Sequence, residues 1–224
     1  MKADIIKKEL IHKGAEASLF YGHWFDKEVI FKHRIPKNYR VEELDKEIRR
    51  ERTLNEAKAL IKVKNYGINV PQVYEIDVQN AIIVMKYIKG EKLRDLLGIL
   101  EDIKRNKYLK EVGRNIALLH INGHVHGDIT TSNIIITQQE DVFLIDFGLH
   151  DYTDKIEDKS VDLHLFKRVL LSSHGKYYEN CYNAFLEGYK SIYEKNDTNE
   201  SQEIVRNISV IETRGRYVKA EERL

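Results

Sequence analysis

The residues best suited to chemistry lie in two short stretches, His126-Gly127-Asp128-Ile129-Thr130-Thr131-Ser132-Asn133 and Ile145-Asp146-Phe147-Gly148. Asp128 precedes Asn133 by five positions and Asp146 by eighteen, with an apolar strand-like run just before Asp146. Two carboxylates and an amide oxygen are hard donors, of the type that neutralise a phosphate chain through a hard cation. Each has a plainer explanation when taken singly. Asp and Asn in turns commonly form Asx turns or helix caps, and Phe147-Gly148 alone would be an ordinary strand exit. The joint spacing carries the argument for a site.

This spacing resembles the protein-kinase-like catalytic loop and metal-binding motif. The resemblance implies that Asn133 and Asp146 hold the magnesium of ATP, while Asp128 accepts or orients the attacking hydroxyl. It also implies that Lys32 reaches the α and β phosphate oxygens and that Glu56, twenty-four positions later, orients the lysine ammonium. Glu51 competes for Lys32 and helix periodicity leaves the choice open, but the family likeness around Arg52-Thr53-Leu54-Asn55-Glu56-Ala57 favours Glu56. The nucleotide loop, with Gly14, Ala15, Glu16 and Ala17, has one glycine where conventional kinases carry three; ATP binding remains expected. Met85, Lys86 and Ile88 would form the hinge, with the backbone of Lys86 and Ile88 hydrogen-bonding adenine. His120, His124 and His126 have no cysteine nearby, and His126 already belongs to the catalytic-loop pattern, so zinc is not expected.

The elements that must position these residues follow from periodicity. Leu10-Ile11, Ala17 to His23 and Lys27 to Arg34 predict three short antiparallel strands. Val41 to Lys64 predicts a helix, with a break or rotation, because the stripe of Val41, Leu44 and Ile48 points away from that of Leu54, Ala57 and Ile61. Val73 to Asp77 and Ala81 to Lys86 predict two more strands around Gln79-Asn80. Beyond Gly90 the pattern predicts helices over Lys92 to Ile103, Lys107 to His120, Asp158 to Ser172 and Lys176 to Lys195, with strands at Ile134 to Thr137 and Val142 to Ile145. The polar run from Asn196 to Ser201 precedes an arginine-bearing tail. The charge run Arg34, Lys37, Arg40, Lys46, Arg49, Arg50 and Arg52, interleaved with acids, predicts a solvated, salt-bridged helix face.

Composition bounds the rest. The 224 residues suffice for one or two cored domains, and 42% hydrophobic content excludes wholesale disorder. The longest apolar run, Ala81 to Met85, is far short of the roughly 18 residues that cross a bilayer, so no membrane role is expected. A net charge of +1 argues against a chain-wide cationic coat for nucleic acid. Charges in Met1 to Lys7 disfavour a secretory signal, and Cys181 is the only cysteine, which together predict a cytoplasmic location.

Only eight residues separate Gly148 from Glu157-Asp158-Lys159, no Ala-Pro-Glu follows, and Gly127 stands where conventional kinases carry an arginine. The sequence closely resembles the KEOPS-complex atypical serine/threonine kinase family, also described as an ATPase subunit. The likeness rests on Lys13 to Ala17, Phe31 to Arg40, Arg52-Thr53 with Glu56-Ala57, His126 to Asn133, Ile145 to Leu149, Glu157 to Leu163 and Arg214-Gly215-Arg216. It spans nearly the whole chain. It implies an α+β, bilobal, protein-kinase-like fold with no extended activation segment: an N-lobe over 1–87, with a small antiparallel sheet and one main helix, a mostly helical C-lobe over 88–203 and a basic tail over 204–224. It further implies ATP and Mg2+ as cofactors, kinase or ATPase activity supporting threonylcarbamoyladenosine modification of tRNA, a tRNA threonylcarbamoyladenosine transferase subunit on the C-lobe, and a small regulatory subunit on the N-lobe. Asp162 would hold the catalytic loop or cap its own helix. Arg206, Arg214, Arg216 and Lys219 would touch tRNA phosphates, against the alternative of a frayed tail. The other readings are a kinase-shaped tRNA-binding scaffold and a small-molecule phosphotransferase of the aminoglycoside type.

Overall fold

The computed structural model describes residues 5–196 and 199–221, with side chains described from 9 to 196 and from 199 to 214. The chain divides into two compact units, Met1–Gly90 with Phe143–Gly148, and Glu91–Val142 with Leu149–Leu224.

The first unit is built on β1 (Ile5–Lys13), β2 (Ser18–Trp24), β3 (Lys27–His33), α1 (Glu42–Lys64), β4 (Val73–Asp77) and β5 (Ile82–Lys86). Its five strands form an antiparallel sheet of order β1-β2-β3-β5-β4. Strand side chains alternate between faces, so Val29 and Phe31 leave one side of β3 and Ile30 and Lys32 the other. Val29, Phe31 and Val84 form a buried cluster flanked by Phe20, Trp24, Tyr74 and Ile82. The helix α1 packs against β4 and β5.

The expected break in α1 is absent: the helix is continuous over 23 residues. The two apolar stripes do point in different directions, but the first never reaches the core. Val41 is 68% and Leu44 52% exposed, while Asp45 is buried and paired with Arg49 at 2.7 Å. A good run of helix formers needs no rotation when its early stripe can stay in water.

The second unit opens with β6 (Gly90–Lys92) and α2 (Leu93–Leu96), followed by α3 (Asp102–Ile121) and β7 (His124–Val125). Next in the chain come β8 (Ile134–Thr137), β9 (Val142–Leu144), whose Phe143 and Leu144 are counted with the first unit, β10 (Asp151–Tyr152), α4 (Ile156–Ser173), α5 (Tyr178–Lys195) and α6 (Glu200–Glu221). The helix expected over Lys92 to Ile103 is only the single turn α2. Gly98 weakens helical continuation there, and the buried Arg105 guanidinium donates to Leu97 O at 3.0 Å and to Leu100 O, satisfying the carbonyls of a turn instead. Helix α3 accordingly starts at Asp102, ahead of the expected Lys107.

Close backbone approach joins α3 to α5. A Cβ at Gly188 would meet Lys110 O at 1.9 Å, and one at Gly113 would meet Phe185 O at 2.0 Å. Phe166, Phe185, Tyr189 and Tyr193 fill the surrounding core. Helix α6 packs on α4 through buried Ile204 and Ile208, with Ser160 donating to Ile204 O at 3.0 Å and Lys159 meeting Glu200 at 2.7 Å. The α+β organisation expected from sequence is thus present, with a small antiparallel sheet and one main helix followed by a mainly helical unit.

Candidate nucleotide site

In the first unit, Lys32 of β3 and Arg34, the residue just past the end of that strand, both meet Glu56 of α1. Lys32 Nζ lies 2.6 Å from Glu56 Oε1, and Arg34 Nη2 lies 2.7 Å from Glu56 Oε2. Glu51 is exposed, so the partner left open by helix periodicity is Glu56. Lys32 also reaches Asp146 Oδ1 at 2.7 Å, a contact within the same unit. Burial alone would push the Lys32 ammonium down, but Glu56 and Asp146 together outweigh it and hold its pKa above the ordinary value.

Asp146 adopts a left-handed backbone, φ 64°, and its side chain is 46% exposed. Gly148 N donates to the same Oδ1 at 3.1 Å, which fixes the carboxylate above the turn. Phe147 anchors that turn in the core. A half-exposed carboxylate held by one lysine and one amide suits a ligand of a hard cation.

Arg34 escaped the sequence reading, which placed it in a solvated charge run. It is 2% exposed and shares Glu56 with Lys32. The signal available was its two-residue offset from Lys32 on a strand, which puts both cations on one face.

The nucleotide loop is closed by a Gly14 N to Ala17 O bond at 3.0 Å. Glu16 pairs with Arg52, and Lys37 donates to Ala15 O. At the expected hinge, Met85 and Ile88 are buried and Lys86 is exposed. The Lys86 N–H donates to Gln72 O at 2.8 Å and the Tyr87 N–H to Glu28 O at 3.1 Å, so both amides serve the sheet.

In the second unit, Asp128 and Asn133 are brought together. Asn133 Nδ2 donates to Asp128 Oδ2 and to Asp128 O, each at 2.9 Å. Because that nitrogen is committed, the side-chain oxygen is the atom Asn133 offers to a cation. Asp162 holds the loop from α4, accepting from His126 N at 2.7 Å and Gly127 N at 2.9 Å. It stands in the second turn of α4, so the helix-cap alternative does not apply. Burial works against its charge, but His120, His126 and the loop amides prevail and its pKa is lowered. Gly127 has φ 79°, and a Cβ there would lie 2.1 Å from Leu149 O, which explains a glycine at this position.

The histidines are used locally. His120 Nδ1 is 2.8 Å from Tyr189 Oη and its Nε2 3.3 Å from Asp162, while His124 Nδ1 is 2.7 Å from His150 Nε2. Among the described residues, no three or more His, Cys, Asp or Glu side chains gather as a metal-binding group. Of the residues expected to touch tRNA, Arg206 is exposed on α6 and Arg214 meets Glu157 at 2.8 Å. The side chains of Arg216 and Lys219 lie outside the described residues.

Comparison with known proteins decides the family. Residues 26–160 match the RIO domain. The chain is 46% identical over 215 residues to the "KEOPS complex subunit Bud32" of Pyrococcus abyssi, covering 93% of this chain and 96% of that protein. This chain belongs to the RIO-domain family, with the Bud32 proteins. The chain is also similar to part of longer proteins named "Probable bifunctional tRNA threonylcarbamoyladenosine biosynthesis protein". That of Methanosphaera stadtmanae is 39% identical over 206 residues, 92% of this chain but 36% of the relative. That of Methanocaldococcus jannaschii is 39% identical over 214 residues, 96% of this chain and 38% of the relative. The chain therefore spans little over a third of the length of these bifunctional relatives. The matched RIO region contains Lys32, Glu56, Asp128, Asn133, Asp146 and part of α4 including Asp158. Among the described residues no helix is long and apolar enough to cross a membrane.

Proposed function

We propose that this chain is an ATP- and magnesium-dependent atypical kinase or ATPase that serves as the KEOPS subunit supporting threonylcarbamoyladenosine modification of tRNA in the cytoplasm. The observation carrying the reading is Lys32, buried and held charged between Glu56 and Asp146. A desolvated lysine kept cationic by two carboxylates suits the phosphate oxygens of a nucleotide, and it is costly to maintain for packing alone.

When bound, magnesium would neutralise the charge that develops on the phosphate chain. Asp146 and Asn133 are the residues that would hold it, through the half-exposed carboxylate and the uncommitted amide oxygen. Lys32 binds the α and β phosphates, and Glu56 keeps its ammonium oriented with Arg34 as the second cation on the same carboxylate. Gly14, Ala15, Glu16 and Ala17 cover the phosphates. Met85, Lys86 and Ile88 line the adenine side, and because the Lys86 N–H is engaged with Gln72, Lys86 contributes its carbonyl and Ile88 its N–H. Asp128 orients the attacking hydroxyl or water, with its carboxylate fixed by Asn133. Asp162 keeps the loop carrying Asp128 in place. The partners are a tRNA threonylcarbamoyladenosine transferase subunit on the mainly helical unit and a small regulatory subunit on the sheet unit, with tRNA reaching Arg206, Arg214, Arg216 and Lys219.

The test is magnesium-dependent ATP turnover of the wild type, Asp128→Ala and Asp146→Asn, with and without the transferase subunit. Turnover should fall at least a hundredfold in both variants, on the scale of a lost acid-base or charge-stabilising group. Equal turnover in all three would remove the enzymatic reading.

A further inference from the structure

The first unit contains a cavity of about 180 Å³, walled in part by Ala15 and Glu16 of the nucleotide loop, whose further cations Lys37, Arg40, Arg49 and Arg52 the nucleotide reading does not use. Arg34, Lys37, Arg40, Arg49 and Arg52 line it, with Glu16 as the acidic side chain among its walls. Among the described residues, the carboxylates paired with these five cations are three: Glu56 takes Arg34, Asp45 takes Arg49 and Arg40, and Glu16 takes Arg52. Lys37 donates to a neutral carbonyl, Ala15 O. Glu56 is moreover shared with Lys32. By these pairings two positive charges around the cavity are uncompensated.

A second observation points to a ligand. Arg34 is 2% exposed, and its Nε is buried without a hydrogen-bond partner among the described residues. A buried guanidinium N–H left unmet carries a desolvation penalty that an incoming acceptor would relieve. Arginine forks match the tetrahedral oxygens of a phosphoryl group in geometry as well as charge. The volume sets the size, because whole small molecules occupy pockets of roughly 300–1,000 Å³. This cavity accommodates a single phosphate group.

We propose that this cavity is a phosphoryl-anion site, taking either free inorganic phosphate or the terminal phosphate of a bound nucleotide. The choice between those two sources rests on the ATP reading above; the site itself rests on the cavity and its charges.

Calorimetric titration of the full chain with inorganic phosphate, at ionic strength matched with sodium chloride, tests it. The wild type should bind about one phosphate saturably. Lys37→Gln and Arg40→Gln should each raise the dissociation constant about tenfold, the effect of one lost charged hydrogen bond. Both side chains are at least partly solvent-accessible and Asp45 keeps Arg49, so unfolding midpoints should stay unchanged. Arg52→Gln provides a further variant with the same expectation. Phosphate that still binds both to the ADP-saturated protein and to protein saturated with a non-hydrolysable ATP analogue identifies free phosphate as the occupant. Phosphate displaced by a non-hydrolysable ATP analogue but not by ADP identifies the nucleotide's terminal phosphate. The proposal is overturned if chloride-matched titrations show no saturable phosphate, or if all variants bind it as the wild type does. A protein that binds phosphate here yet turns over no ATP would sink the enzymatic reading and leave this one standing.

Discussion

Glu56 answers to two buried cations at once, which makes it the residue whose loss the first unit should tolerate least. Glu56→Gln leaves Arg34 without its ion partner and Lys32 with Asp146 alone. Breaking a buried pair from one side costs about 3–5 kcal/mol, so urea denaturation should place the variant lower by that amount. In the second unit, burial, followed by the charges of His124 and His126, pushes the pKa of His150 down to about 4. Its unfolded value is about 6.5, so between these pH values the unfolded chain binds a proton that the folded one refuses. Stability should therefore fall as pH drops from about 6.5 to about 4, by roughly 2 kcal/mol after allowing for solvent screening. Unfolding free energies measured across that range should show a shallower slope for His150→Gln. Asp162, with its lowered pKa, contributes stability above the ordinary carboxylate range and loses it in stronger acid, so the two windows separate. The Lys32–Glu56 pair was legible only through the likeness to the kinase-like family, because residue type and helix periodicity left Glu51 open as the partner. Arg34 was not, because periodicity cannot distinguish a buried strand cation from the solvated charges that follow it.

Helix propensity and packing make opposite forecasts for Gly188 of α5. Alanine in a helix interior is favoured over glycine by about 1 kcal/mol, yet its Cβ would sit 1.9 Å from Lys110 O of α3. Backbone cannot yield as a flexible side chain does, so Gly188→Ala should destabilise by about 1–3 kcal/mol in chemical denaturation. A gain in stability would mean that α3 and α5 are not in this contact. The opposite holds at the start of α1, where Leu44 is 52% exposed and Leu44→Gln should change stability by less than about 0.5 kcal/mol. That exposure is why the sequence suggested a break that the helix lacks: a shift in stripe direction implies rotation only if both stripes are buried. The main strands and the helices α1, α3, α4 and α5 were otherwise readable from period and turn residues, whereas α6 was expected only as a polar break followed by a basic tail. The two-residue strands β7 and β10 were not, since they exist through their mutual pairing and have too little sequence for a pattern.

Over the whole molecule, 37 basic side chains nearly cancel 36 acidic ones, so any affinity for tRNA must come from a local patch. The candidates are Arg206, Arg214, Arg216 and Lys219, four cations near the end of the chain. Each phosphate neutralised on a duplex contributes about −0.9 to the slope of log affinity against log salt. Four contacts thus set a limit near −3.6, well short of the slope a chain-wide basic coat would give. Arg214 begins at a disadvantage, because it meets Glu157 at 2.8 Å and must exchange that exposed ion pair for a phosphate. Exposed pairs are worth about 0–1 kcal/mol, so the exchange is feasible but lessens the net gain. Filter binding of tRNA between 50 and 200 mM salt should therefore give a shallow slope for the full chain. Arg206→Ala should reduce it by about one unit, whereas Glu157→Gln should tighten binding by releasing Arg214. A slope much steeper than −4, unaffected by either substitution, would place the tRNA contact elsewhere on the chain.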